Sequence, residues 1–259
     1  MPISFEHWPS KVANVLVYVT LLSGNLYSTF GGPEQDTPDD SKHQSYISPA
    51  AFTFLIWTLV YFMLGGMIVY QWFSNKVHQA VGWHFVIVSV LNAIWLALWT
   101  GDHEILAFIT LIFTSGAVSF VYYRLKELHA AETIPETLFL HLPFSLYHAW
   151  IFVLLVVNGF AAFSPVKEDG PSTFQVIIAI AGLAFVASTV VGYIEYKKGD
   201  VAGALVLAWY LFGVFAQQEE TYIHWSSLGL GIAVAVYTLK PIVFGLFGRR
   251  TGESAPLLG

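Results

Sequence analysis

Eight apolar runs dominate this chain: Val12–Phe30, Ala50–Phe73, Val81–Thr100, Ile105–Tyr123, Thr137–Phe163, Phe174–Ile194, Val201–Ala216 and Ile223–Phe247. A helix crosses the hydrocarbon of a bilayer with about 20 apolar residues, within a range of about 17–25. All but Val201–Ala216 reach that length comfortably. Backbone polar groups find no water inside lipid, so runs of this kind satisfy their hydrogen bonds as helices. Only 11% of the 259 residues are charged, against roughly 25% in a soluble domain. The longest connections are the acidic Gly31–Pro49 and the mixed-charge Arg124–Glu136. Neither holds a domain that folds in water. The expected fold is therefore an all-α polytopic membrane protein with eight spans.

Charge supports that count. Lys and Arg collect in cytoplasmic loops. With eight spans, one side carries Lys11, Lys76, Arg124, Lys126, Lys197, Lys198, Lys240, Arg249 and Arg250, and the other only Lys42 and Lys167. Both termini then lie in the cytosol. Dropping the short seventh run would move Arg249 and Arg250 outside. The first run follows Lys11 as a signal peptide would, but no small-x-small cleavage site follows it, so it is expected to stay as a span. The chain has no cysteine, which excludes disulfides, thiolate metal sites and cysteine nucleophiles. A net charge of −6 without a basic patch argues against nucleic acid as a partner.

Polar groups inside spans are costly unless they face a bundle interior or a cavity. Trp57, Tyr61 and Gly65 recur at helical spacing in the second run, Asn92, Trp95 and Trp99 in the third, and Pro143, Tyr147, Trp150, Leu154 and Asn158 in the fifth. Three helices thus each present Trp with Asn or Tyr on one face. Two readings fit: interhelical packing, or an apolar ligand cavity with a few placed polar groups. Trp99, near a helix end, is expected in the interfacial aromatic belt under either reading.

These residues carry a resemblance. The segment Ile47–Tyr61, with Pro49, Trp57-Thr58 and Tyr61, resembles the second-helix signature of the TspO/MBR family, the tryptophan-rich sensory proteins. Leu91-Asn92-Ala93-Ile94-Trp95 is similar to that family's third-helix motif. Leu142-Pro143, Tyr147, Trp150 and the closing Asn158 are similar to its fifth-helix motif. The three occur in family order across roughly Val12–Phe163. The resemblance implies a five-helix bundle over residues 1–165 around a pocket for a hydrophobic ligand such as a porphyrin or related tetrapyrrole, often in a homodimer. The implied ligand-binding residues are Trp57, Tyr61, Asn92, Trp95, Trp150 and Asn158, with Tyr147 on the same stripe. The sequence departs from the family in its first loop, where Tyr46 stands nearest the position of the usual Trp. It also continues through three further helices, over residues 166–248. There Gly199-Asp200 through Trp209 resembles an extended, eight-span branch. A cytosolic tail, residues 249–259, completes the chain.

Other features are read more plainly. His84, His141 and His148 lack a second metal ligand at helical spacing, so hydrogen bonds to neighbouring helices are expected for them. Lys240 is expected to snorkel to the interface, and Glu195 to pair with the adjacent Lys197 and Lys198. The tail segment Glu253–Leu258 resembles an acidic dileucine sorting signal. If used, it implies a eukaryotic endomembrane or vacuolar destination. No nucleophile–base order, phosphate loop or paired intramembrane carboxylates are visible, so no enzyme is expected. The leading expectation is a sensory or regulatory membrane protein that binds a hydrophobic small molecule, with a bound tetrapyrrole as its cofactor-like ligand and membrane lipids around it. A small-solute transporter and a non-catalytic subunit of a larger membrane complex stand as alternatives.

Overall fold

The computed structural model describes residues 4–30, 43–129, 131–164, 166, 170–197 and 199–243. Lys42, Lys167, Lys198, Arg249, Arg250, residues 31–42 of the acidic loop and the dileucine-like tail lie outside them. Helices cover each of the apolar runs. They are α1 (Trp8–Phe30), α2 (Ile56–Tyr70) entered through a 3-10 turn at Ala51–Leu55, α3 (Lys76–Ala80), α4 (His84–Thr100), α5 (Glu104–Leu128) and α6 (Ile134–Glu136). Next, α7 (Leu142–Phe163) is entered through a π-helical turn at Thr137–His141. Then come α8 (Thr173–Ser188), α9 (Val190–Glu195), α10 (Val201–Gln217) and α11 (Thr221–Thr238). Among the described residues, five helical stretches are long and apolar enough to cross a membrane: Ala51–Tyr70, Glu104–Leu128, Ile134–Phe163, Thr173–Glu195 and Thr221–Val243. The apolar α4 and α10 have 17 residues each. Asn14, Thr20 and Asn25 interrupt the apolar surface of the 23-residue α1.

Local chemistry sets several boundaries. Ser172 and Gln175 form a reciprocal capping box at α8. Asp200 and Glu220 accept from backbone N–H groups at the starts of α10 and α11. Pro143 has no N–H to offer the carbonyl four residues before it, and the preceding turn widens to π geometry.

One set of contacts runs through α1, α2, α4, α5 and α7, another through α8, α10 and α11, and the α7–α10 interface joins them. The described basic side chains gather at one end. There Lys76 bridges Glu132 (2.7 Å) and Glu136 (2.9 Å), Arg124 donates to the Gln79 carbonyl (2.8 Å), and Lys240 pairs with Glu195. Glu195 thus takes Lys240, beyond α11's end, and not Lys197 as expected from sequence; the other expected partner, Lys198, lies outside the described residues. Its second partner is the Tyr237 hydroxyl (2.6 Å). The two glutamates raise the Lys76 pKa to about 12. At the opposite end His43 lies 3.1 Å from both Asp102 and Glu104.

Asp200 ties the two sets together. Its buried carboxylate accepts from the Ser145 hydroxyl of α7 (2.6 Å), the Tyr122 hydroxyl of α5 (2.8 Å) and the Gly203 N–H (3.0 Å), with Lys126 at 3.7 Å. Removing one partner of a buried charged network strands the others. Asp200→Ala should therefore lower unfolding stability by about 3 kcal/mol and Tyr122→Phe by about 1.5 kcal/mol, read as thermal or denaturant shifts in detergent.

The N-terminal segment docks beside α3. His7 stacks on His78 with ring centroids 3.8 Å apart, and Ser10 Oγ lies 2.9 Å from His78 Nδ1. Burial first, then the charges of His7 and Lys11, hold His78 below its usual 6.5. The folded state favours the neutral ring, so this docking is complete above 6.5 and is lost as pH falls below it. Proteolytic cleavage around Phe5 should quicken as pH drops from about 7.5 to about 5.5.

Candidate functional site: an aromatic centre between α2, α4 and α7

The three aromatic stripes expected from sequence meet. Trp57, Tyr61, Asn92, Trp95, Tyr147, Trp150 and Asn158 are all buried, several of them completely. Trp57 is the hub. It stacks on Tyr61 (5.2 Å between centroids), meets Tyr147 and Trp150 edge-on (5.7 and 6.5 Å), and tilts against Trp95 at 6.3 Å. Edge-to-face and offset arrangements suit the quadrupoles of such rings.

The polar atoms divide into two groups. Trp95 Nε1 donates to Asn158 Oδ1 (3.0 Å) and Asn92 Nδ2 to the Tyr61 hydroxyl (3.4 Å), linking α4 to α7 and to α2. From α1, the Tyr18 hydroxyl donates to the Tyr61 carbonyl (3.0 Å). Gly65 permits this reach, since a Cβ there would sit 3.3 Å from Tyr18 Cζ and closer still to its hydroxyl. By contrast, Asn92 Oδ1, the Tyr147 hydroxyl and Trp150 Nε1 are buried with no hydrogen-bond partner among the described residues. Each such atom costs about 1–3 kcal/mol while unpaired. Together they offer an acceptor, a hydroxyl and a donor to a small occupant.

Over one end of the centre lies the segment from His43 to the 3-10 turn, and α10 holds it there. Ala50 N–H donates to the Gly213 carbonyl (3.0 Å), Trp209 Nε1 to the Thr53 carbonyl (2.9 Å), the Tyr210 hydroxyl to the Ile47 carbonyl (2.9 Å), and Gln218 Nε2 to the Ser48 carbonyl (2.8 Å). Gly213 has no side chain because a Cβ there would press on Pro49 (3.0 Å) and on Thr53. Trp99 departs from its expected place in the interfacial belt. It is 3% exposed, with the His43 ring 4.6 Å away. A loop residue covers it, which helix periodicity does not reveal.

Two of the three intraspan histidines hydrogen-bond to other segments, whereas His84 Nδ1 donates locally to the Val81 carbonyl (3.2 Å) in place of a neighbouring helix. His148 meets Ser119 (3.1 Å) and Tyr193 (2.6 Å), and His141 Nε2 donates to the His129 carbonyl (2.7 Å). Sequence reading gave no role to Asp200, Tyr18 or His43. Only Asp200 carried a local signal, as an acidic residue directly before an apolar helix.

Fold and centre define an integral, multi-pass helical membrane protein with an aromatic interior. A profile of the family described as TSPO-like protein matches residues 11–240, which includes α8, α10 and α11. The chain belongs to that family. No curated protein and no solved structure matches it.

The Trp95–Asn158 bond makes a direct test of the centre's polar wiring. Asn158→Ala should cost about 1–3 kcal/mol by leaving the Trp95 N–H buried and unpaired, whereas Trp95→Phe in the Asn158→Ala background should recover part of that loss.

Proposed function

We propose that this chain binds a hydrophobic small molecule of the tetrapyrrole class at the aromatic centre, in a sensory or regulatory role and without chemistry of its own. The observation that carries the reading is the set of three buried, unpartnered polar atoms, on Asn92, Tyr147 and Trp150, around the Trp57 hub. Aromatic walls with a few placed polar groups are the usual form of a small-molecule site. Family membership adds support. In the same proposal the chain crosses the membrane eight times with both termini in the cytosol, a topology supported by the gathering of the described lysines and Arg124 at one end.

Titration of the purified protein with protoporphyrin IX tests the site. Tryptophan emission should fall saturably, and the double substitution Trp57→Phe, Trp150→Phe should weaken affinity by about tenfold, or about 1.4 kcal/mol. Unchanged affinity in that variant would remove the aromatic centre from the proposal. The ring-to-ring contacts around Trp57 favour a second reading, in which the centre is a packed core and the chain serves as a non-catalytic subunit of a larger membrane complex. Stable co-purification with another membrane protein, with no porphyrin response, would select it.

A further inference from the structure

Away from the aromatic centre, two cavities meet along the cleft between α7 and α10. The first, of about 470 Å³, lies at the basic end and is lined by Lys126, Thr137, His141, Ser145, Lys197 and Asp200, among others. The second, of about 590 Å³, is almost wholly apolar. Leu59, Leu146, Leu205, Trp209, Phe212 and Ala235 form much of its wall. Leu142 and Ala202 line both, so the two adjoin. We propose that these two adjoining cavities form a binding site for a single phospholipid with an anionic, hydroxyl-bearing head, seated head-first in the chamber with an acyl chain along the groove.

Length fits. From Ala202 to Phe212 the cleft follows ten residues of α10, about 15 Å at the helical rise. That is half of the roughly 30 Å hydrocarbon thickness, the depth of one leaflet. A chain that starts at the basic end thus reaches the mid-plane beside Phe212.

Charge fits as well. Among the described residues, two lysines face one carboxylate in the chamber, leaving one positive charge. The Asp200 carboxylate is occupied by Ser145, Tyr122, Gly203 and Lys126. Lys126 is further held by the Gly199 carbonyl (2.9 Å). Lys197 has no carboxylate partner among the described residues, and its Nζ lies 5.8 Å from the Tyr196 ring centroid. It also sits in left-handed backbone, φ 55°, which a lysine rarely adopts. One cation is therefore available to a single phosphodiester. His141 adds the hydroxyl preference: its Nε2 donates to the His129 carbonyl, so the neutral ring keeps Nδ1 as an acceptor. Thr137 and His141 both belong to the π-helical turn that Pro143 imposes, a distortion frequent at binding sites. Basic pockets between membrane helices on the cytosolic side recognise anionic heads by this chemistry.

Trp209 supplies the readout, because it lines the groove and is 38% exposed. The full-length protein is reconstituted in phosphatidylcholine vesicles that contain either brominated phosphatidylglycerol or brominated phosphatidylcholine at equal fraction. The quenching assigned to Trp209 is the difference between the wild type and Trp209→Phe. Brominated phosphatidylglycerol should quench as if enriched about fivefold at the site, the scale of one lysine–phosphate contact. Lys197→Gln should bring the two lipids level, while Lys197→Arg should keep the preference. Lys197 is a loop residue outside the Asp200 network, so these variants test the head site without dismantling the fold. Equal quenching by the two lipids in the wild type, or a preference that survives Lys197→Gln, would overturn the proposal.

Discussion

A single buried carboxylate organises this molecule. Asp200 begins α10, and its two oxygens draw a hydroxyl from α5, a hydroxyl from α7 and a backbone N–H of α10 itself. A charge out of water is tolerated only where such partners converge. Their convergence fixes where α10 starts and how it is rotated against α7. From that rotation follow the positions of Trp209, Tyr210 and Gly213, which clamp the 43–55 segment over the aromatic centre. The centre's cover is thus set by an interaction at the other end of α10.

Much of the architecture was legible because lipid leaves a chain few choices. Apolar run lengths located the helices, and helical spacing grouped Trp57 with Tyr61, Asn92 with Trp95, and Tyr147 with Trp150 and Asn158. Those groupings are properties of single helices, so a sequence displays them. What it does not display is what lies across from each face. Tyr122 and Ser145 stand 78 and 55 residues from the carboxylate they bind. Nothing local marks either as its partner. Trp99 shows the same limit from the other side. Its place near a helix end matches an interfacial anchor, yet His43 from a preceding loop covers it. Glu195 lies two residues from Lys197 in sequence but is bonded to Lys240 because α11 returns alongside α9.

The polar chemistry is distributed unevenly for a physical reason. At the ends, where water screens charge, ion pairs such as Lys76 with Glu132 and Lys240 with Glu195 are exposed. In the middle the described helices use neutral groups: asparagine, tyrosine and tryptophan paired across short distances, as at Trp95–Asn158. Neutral donors keep the cost of burial within what one hydrogen bond offsets. Asn92, Tyr147 and Trp150 each keep one unmatched buried atom, as do Asn14, Thr53, Ser89 and Trp99 elsewhere among the described residues.

The clamp on the 43–55 segment makes the first five helical runs and the last three mechanically dependent on each other. A chain cut after α7 would keep the segment but lose the α10 bonds that hold it over the aromatic interior. It would also leave the Tyr122 and Ser145 hydroxyls without the carboxylate they bind. The last three helices are therefore a brace on the first five, and a truncation there is felt at the far side of the bundle.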